Sequence, residues 1–187
     1  GVTAFSTTRH GGVSEANYAS FNINPYCGDS ADHVARNRQL LADRLGLPAS
    51  HIVLPHQVHG IEHRAVAPEL LDMSDAVRDK ILDGVDMVTT SMTGVCIGVS
   101  TADCIPVLLY DDRTHMVAAV HAGWRGTVAS IAAHTVSLMT DRPRHMHAII
   151  GPGISLQRFE VGDEVYDAFR QAGFPMELIA RRFPCNG

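Results

Sequence analysis

The stretch TADCIPVLLYDDRTHMVAAVHAGWRG, Thr101 to Gly126, decides how this chain is read. A thiol at Cys104 opens the apolar run IPVLLY, Asp111–Asp112 supplies a turn, and the second apolar run VAAV delivers His121 to a loop in which Gly123 and Gly126 bracket Trp124–Arg125. Two such runs around a turn predict a hairpin, and pairing across it brings the Cys104 end alongside the His121 end. Three readings are open at this point: a metal site, a Cys–His nucleophilic pair, or ordinary core. Free cysteine is among the most buried residue types, so core is the reading kept for Cys96.

Outward from the hairpin, the apolar character of GVDMVTT, GVCIGV and IPVLLY at nearly every position predicts strands covered on both faces, which requires helices or a second sheet above and below. From Asp32 the pattern becomes helical. Asp32 is a reasonable N-cap, Val34, Leu40, Leu41 and Leu45 make one apolar face, and Gly46 with Pro48 supplies the stop. Thr127 is expected to cap a second helix over Val128–Met139, with Ile131, Thr135, Val136 and Leu138 turned inward, and a third runs from about Gly162 to Gln171. The segments TAFSTTRHGG and SFNIN read as strand around a Gly11–Gly12 turn, HMHAII as a strand, and residues 68–83 as either a short helix or a loop. The final RRFPCNG has no pattern.

Bulk properties narrow the function. A chain of 187 residues is expected to form one domain, a formal charge of −5 without a Lys/Arg cluster argues against nucleic acid as a partner, and no apolar run is long enough to span a membrane. Four cysteines, Cys27, Cys96, Cys104 and Cys185, stand far apart without a CxxC pair, so neither a disulfide framework nor a zinc knuckle is expected. No signal peptide is visible, and a reducing cytoplasm is the expected location. Eleven histidines are many for this length and raise the expectation of a His-built site.

Three of them, His56, His59 and His63, fall in IVLPHQVHGIEHRAV. His59, Glu62 and His63 match the HxxEH pattern of inverted zinc proteases, which requires a helix. Gly60, Pro55 and the β-branched neighbours argue for an extended chain, where His59 and His63 would stand roughly 13 Å apart. Only one of them then belongs to a compact site. Adding His59 to Cys104 and His121 gives two imidazoles and a thiolate, a set suited to zinc or copper with one position open for water or substrate. The same residues also permit a Cys–His hydrolase, with His121 lowering the thiol's pKa. Arg9, at the glycine turn, and Arg125, at a helix start, are candidate anion clamps.

These stretches carry a family resemblance. FSTTRHGGVS, YASFNIN, GDSADHVARNRQLLADRLGLP, QVHG, DGVDMVTT, TADCIPVLLYD, VHAGWRGTV and IGPGIS with FEVGDEV together resemble the YfiH-type family, also called the laccase-domain, multicopper polyphenol oxidoreductase or FAMIN-like family. The resemblance covers nearly all of residues 1–187 as a single domain. It implies an α/β fold with a mixed β-sheet core flanked by helices, related to Cys–His toxin deamidases. It also implies a zinc ion, with copper as the alternative, held by His59, Cys104 and His121. The implied activity is that of a purine nucleoside enzyme, cleaving adenosine, inosine or methylthioadenosine with phosphate and deaminating adenosine. Purine nucleoside and phosphate are then the partners. Cys104, His121 and His59 are the expected catalytic residues, and Gln57 of QVHG joins Arg9 and Arg125 as a substrate contact.

Two other activities go with the resemblance: a Cys–His amide hydrolase acting on cell-wall muropeptide precursors, and the polyphenol oxidase of the laccase label. The second fits poorly with a chain supplying one three-ligand site, because multicopper oxidation needs several copper centres. Family members continue with a further helix and an FFSxR-like segment that nothing up to Gly187 matches, so part of the substrate pocket is expected to lie outside this sequence.

Overall fold

The computed structural model describes residues 1–182; Cys185 lies outside them. In chain order the regular elements are α1 (Ala31–Leu45), β1 (Ile52–Val53), β2 (His63–Ala65), α2 (Pro68–Asp72), α3 (Asp75–Leu82), β3 (Met87–Thr90), β4 (Cys96–Ile97), β5 (Ile105–Asp111), β6 (Val117–Ala122), α4 (Trp124–Val128), α5 (Ile131–Met139), β7 (Met146–Ile150), α6 (Asp163–Gln171) and α7 (Met176–Ile179). Five strands make a mixed sheet in the order β2-β3-β6-β5-β7, and β1 and β4 form a separate two-stranded parallel ribbon. Strand β2 runs parallel to β3, and the other three pairings are antiparallel.

Side-chain alternation explains why the central strands β3 and β6 are covered on both faces, whereas the edge strand β7 is largely exposed, with Ile149 and Ile150 open to solvent. Along β3 and β6, Met87 pairs with Val120 and Val88 with Ala119. Successive residues of a strand point to opposite faces. Accordingly Met87, Val120, Ala118 and Leu109 pack with Ile131 and Met139 of α5, while Val88 and Ala119 pack with Val53, Val66, Leu70 and Leu82 on the other face. Met87, Val88 and Val120 are wholly buried. Each such side chain contributes about 1.5–3 kcal/mol relative to exposure. Helix α1 lies over the β1–β4 ribbon through Leu41, Ala42 and Ile52.

The expected β5–β6 hairpin forms, with Ile105 opposite Ala122 and Pro106 opposite His121. Asp111, buried at the end of β5, accepts the Arg113 N–H at 2.9 Å and so closes the turn. Helix α1 also forms, but its N-cap is Ser30 rather than Asp32, and Gly46 ends it in the left-handed region at φ 67°. Only glycine takes that conformation without steric cost.

Further expectations need correction. The segments TAFSTTRHGG and SFNIN contain no strand. A side chain takes part of a strand's place: the buried Asn37 of α1 accepts the Val13 N–H and donates to Ser14 Oγ and to the carbonyls of Ser20 and Asn22, while the Arg9 carbonyl accepts the Ser20 and Phe21 N–H groups. The single helix expected over Val128–Met139 is two helices, because α4 starts at Trp124 with Gly123 as N-cap and Ser130 turns left-handed at φ 60° before α5. Thr127 therefore does not cap; its hydroxyl donates to the Gly123 carbonyl inside α4. Finally, Leu138 is 44% exposed and Met139 takes the inward place. Residues 68–83 resolve into α2 and α3 around Ser74.

Candidate metal centre and its cavity

His59, Cys104 and His121 converge. One ligating atom of each lies within 4.8 Å of the others. The hairpin delivers two of them: His121 is the penultimate residue of β6, and Cys104 precedes β5. His59 comes from the loop between β1 and β2, its ring 4.8 Å from that of His121 in an edge-to-face arrangement. His121 is buried, Cys104 half-buried and His59 exposed, so the cluster opens to one side.

A fourth residue, not singled out in the sequence, organises the three. Asp86, wholly buried between Val85 and Met87, accepts from His121 Nδ1 at 2.7 Å. The same carboxylate accepts the N–H groups of Val58 at 3.2 Å, His59 at 3.0 Å and Gly60 at 2.7 Å. Three successive N–H groups on one anion explain how His59 holds a left-handed φ of 65°. Burial works to raise the Asp86 pKa, but the hydrogen bonds from His121, Gly60 and Val58 outweigh it and hold the carboxyl below its ordinary value. Because a carboxylate only accepts, the proton of His121 sits on Nδ1, and Nε2 is the nitrogen left for a ligand. The sequence did carry a signal: an acidic residue inside an apolar strand needs buried partners.

The donor set fits a transition-metal ion. Two imidazole nitrogens, a cysteine sulfur and a carboxylate orienting one imidazole match the composition of three-ligand sites with an open position. Burial, then the charges of Asp103 and Asp86, push the Cys104 thiol pKa up. The surrounding protein groups alone therefore favour the thiol, whereas a cation at the cluster would reverse the balance. Cys27 and Cys96 are also free, and burial raises the Cys96 pKa as expected of a core thiol.

The cluster borders a cavity of about 320 Å³, within the range of small-molecule sites. Its lining also includes Gln57, Ser100 and Asp103, with Asn24, Tyr26 and His56 from elements outside the hairpin. Gln57 lines the cavity, and its amide donates to the Ser100 carbonyl and accepts the Ser100 N–H, both at 2.7 Å, tying its loop to the segment before Cys104. Arg9 and Arg125 are not among the lining residues. Arg9 donates from Nε and Nη2 to the Ala19 carbonyl, and the Arg125 guanidinium lies 4.2 Å over the Trp124 ring. His63 faces Thr89 at 2.8 Å and takes no part; HGIEH is not helical, but it bends at His59 instead of running extended, and β2 begins only at His63.

A family model described as multi-copper polyphenol oxidoreductase laccase matches residues 3–184. The chain belongs to this laccase-domain family. Among laccase-domain relatives it is 45% identical over 185 residues to a purine nucleoside phosphorylase of Bacteroides thetaiotaomicron, covering 97% of this chain and 68% of that protein. It is 40% identical over 191 residues to adenosine deaminase RL5 from an unknown prokaryotic organism, covering all of this chain and 72% of the relative. Among solved laccase-domain structures, YlmD of Geobacillus stearothermophilus superposes with a TM-score of 0.80 at 35% identity, over 90% of this chain and 64% of that one. The chain thus spans between 64% and 72% of the length of these three relatives. The mixed sheet flanked by helices is the fold of the family, and among the described residues no helix is long and apolar enough to cross a membrane.

Proposed function

We propose that the chain is the zinc-binding part of a purine nucleoside enzyme that cleaves adenosine, inosine or methylthioadenosine with phosphate and deaminates adenosine. The observation that carries this reading is the convergence of His59, Cys104 and His121 on one side of a cavity of about 320 Å³. The printed names of two relatives, a purine nucleoside phosphorylase and an adenosine deaminase, support the same pair of reactions. Copper is the alternative ion, but one three-ligand cluster among the described residues supports a single-ion site rather than multicopper oxidation.

When bound, zinc supplies Lewis acidity that polarises water or a substrate oxygen at neutral pH. The protein does the rest. Asp86 fixes the His121 ring through Nδ1 and the His59 backbone through its N–H, so the ligands are set before substrate arrives. The Gln57–Ser100 bonds hold the two loops that line the cavity. Asp103 is the acid in the cavity lining outside the ligand set, and is assigned to accept and return protons during deamination. Arg125, exposed and two residues beyond Gly123, is assigned to phosphate; Arg9 already has two donors on the Ala19 carbonyl.

Burial and the Asp103 and Asp86 charges keep the Cys104 thiol protonated in the protein alone, so its thiolate needs a cation at the cluster, and the third donor, His59, beside Cys104 and His121 favours a metal over a two-residue Cys–His pair. The test incubates the purified protein with adenosine, with and without phosphate, and resolves adenine, inosine and hypoxanthine. Phosphate-dependent base release and formation of inosine are expected, with zinc close to one per chain by elemental analysis. A metal-free protein of equal activity, or no nucleoside turnover, would overturn the reading.

A further inference from the structure

Tyr26 and His56 lie far apart in sequence and stack in the cavity, with ring centroids 4.6 Å apart and planes inclined by 28°. Both rings are pinned from outside the ligand cluster. His56 Nδ1 meets Asp83 Oδ1 at 2.6 Å, and the His56 N–H donates to the Leu82 carbonyl at 2.9 Å, so the residue is tied to the end of α3 by backbone and side chain. The Tyr26 hydroxyl reaches Asp79 of α3 at 3.5 Å, and the Tyr26 N–H donates to Asn24 Oδ1 at 2.9 Å. No metal ligand takes part in these bonds, so they serve neither to position the cluster nor to build it. An aromatic pair held in place within a cavity is a stacking surface formed before its ligand arrives.

The chemistry of His56 adds direction. The Asp83 carboxylate can only accept, which places the proton of the neutral ring on Nδ1 and leaves Nε2 as a hydrogen-bonding atom without a partner among the described side chains. A flat heteroaromatic ring with polar edges satisfies both features, because its face stacks and a polar group of it reaches Nε2. A ribose hydroxyl can bond to Nε2 but offers no flat face to stack, and an ionised phosphate offers neither a face nor a donor.

We propose that Tyr26 and His56 form the nucleobase subsite of the cavity, the stacked pair offering one outer face to the purine and His56 Nε2 contacting a polar group of the base. This rests on the nucleoside reading above and extends it by naming which wall takes the base. The assignment places specificity on two residues outside the ligand triad, supplied by the segment after Phe21 and by the loop before His59.

The test compares the wild-type protein with His56→Leu and Tyr26→Leu, using free adenine in calorimetry and adenosine in turnover. Either substitution is expected to weaken adenine binding and to raise the adenosine KM by about tenfold or more. The phosphate KM and the zinc content are expected to stay unchanged, and Tyr26→Phe, which keeps the ring but loses the Asp79 contact, to bind adenine more weakly than wild type and more tightly than Tyr26→Leu. Adenine bound by wild type but lost in both leucine variants, in a protein that turns over no nucleoside, would support the subsite while the proposed reaction fails. Unchanged adenine affinity in the leucine variants, loss of zinc from them, or no adenine binding by wild type would overturn the subsite.

Discussion

Asp86 accepts a hydrogen bond from His121 Nδ1 at 2.7 Å, and neither residue is exposed to solvent beyond 3%. The pair joins the middle of the sheet to the ligand cluster, since the same carboxylate holds the loop that carries His59. Asp86→Asn keeps the size but replaces one acceptor oxygen with an NH2 group that faces N–H donors. Metal affinity is expected to fall about 10- to 100-fold, as for other partners that orient a ligating histidine. A competition titration against a chromogenic chelator measures it; an affinity within twofold of wild type would show that the ligands are ordered without Asp86.

Acid should loosen the same loop. The folded pKa of Asp86 lies below its ordinary value, so the unfolded chain takes up the proton first as pH falls. The stability this group contributes is therefore complete above the ordinary carboxylate value of about 3.9 and is lost as pH falls through the lower folded value. Unfolding curves of wild type and Asp86→Asn are expected to differ at pH 7 and to converge in strong acid. A gap independent of pH would assign the effect to packing.

Gly123 offers a test that leaves all three ligands in place. A Cβ at this position would stand 2.9 Å from His59 Cδ2 and 3.3 Å from Cys104 Sγ, with the backbone at φ −71°, which any residue accepts. Gly123→Ala is therefore expected to form α4 normally while displacing the ligand side chains. We expect zinc to be lost with little change in circular dichroism; full zinc occupancy would mean that the two side chains shift without harm.

The parts of this fold that were legible in the sequence are those in which local pattern and packing agree. The β5–β6 pairing follows from two apolar runs around Asp111–Asp112, and α1 from its apolar face and Gly46, and both form. The HGIEH pattern could be set aside because Gly60 and its β-branched neighbours do not make a helix. What was not legible depends on single long-range contacts. Nothing near Asp86 in the chain announces that its partners are residues 58–60 and 121, and nothing in SFNIN shows that Asn37, on a helix, takes the Ser20 and Asn22 carbonyls in place of a neighbouring strand. The break at Ser130 is of the same kind, a left-handed residue within a strong helical pattern. Tyr26 and His56 carried no motif, and only the docking of the N-terminal segment places them in one cavity.

That docking gives a further prediction. Asn37 is wholly buried and bonds Val13, Ser14, Ser20 and Asn22, ahead of Asn24 and Tyr26 in the cavity lining. Asn37→Ala would leave backbone groups of this segment without partners, at about 2–4 kcal/mol if only part of them reach water. Denaturant unfolding should show the loss, and proteolysis should cut first before residue 30. Stability within about 0.5 kcal/mol of wild type would mean that the segment is held by other contacts.

Cysteine reactivity separates a ligand from a nucleophile. Burial and the Asp103 and Asp86 charges raise the Cys104 pKa, and only the thiolate alkylates at a useful rate. In metal-stripped protein at pH 7, Cys104 is expected to react with iodoacetamide more slowly than the exposed Cys27. The rate should climb as pH rises towards the raised thiol value, and loading with zinc should suppress it further. Peptide mass spectrometry after timed quenching reads both sites in one experiment. Rapid alkylation of Cys104 at neutral pH would mean that His121, oriented by Asp86, activates the thiol through Nε2, and it would move the chemistry from the metal to the sulfur.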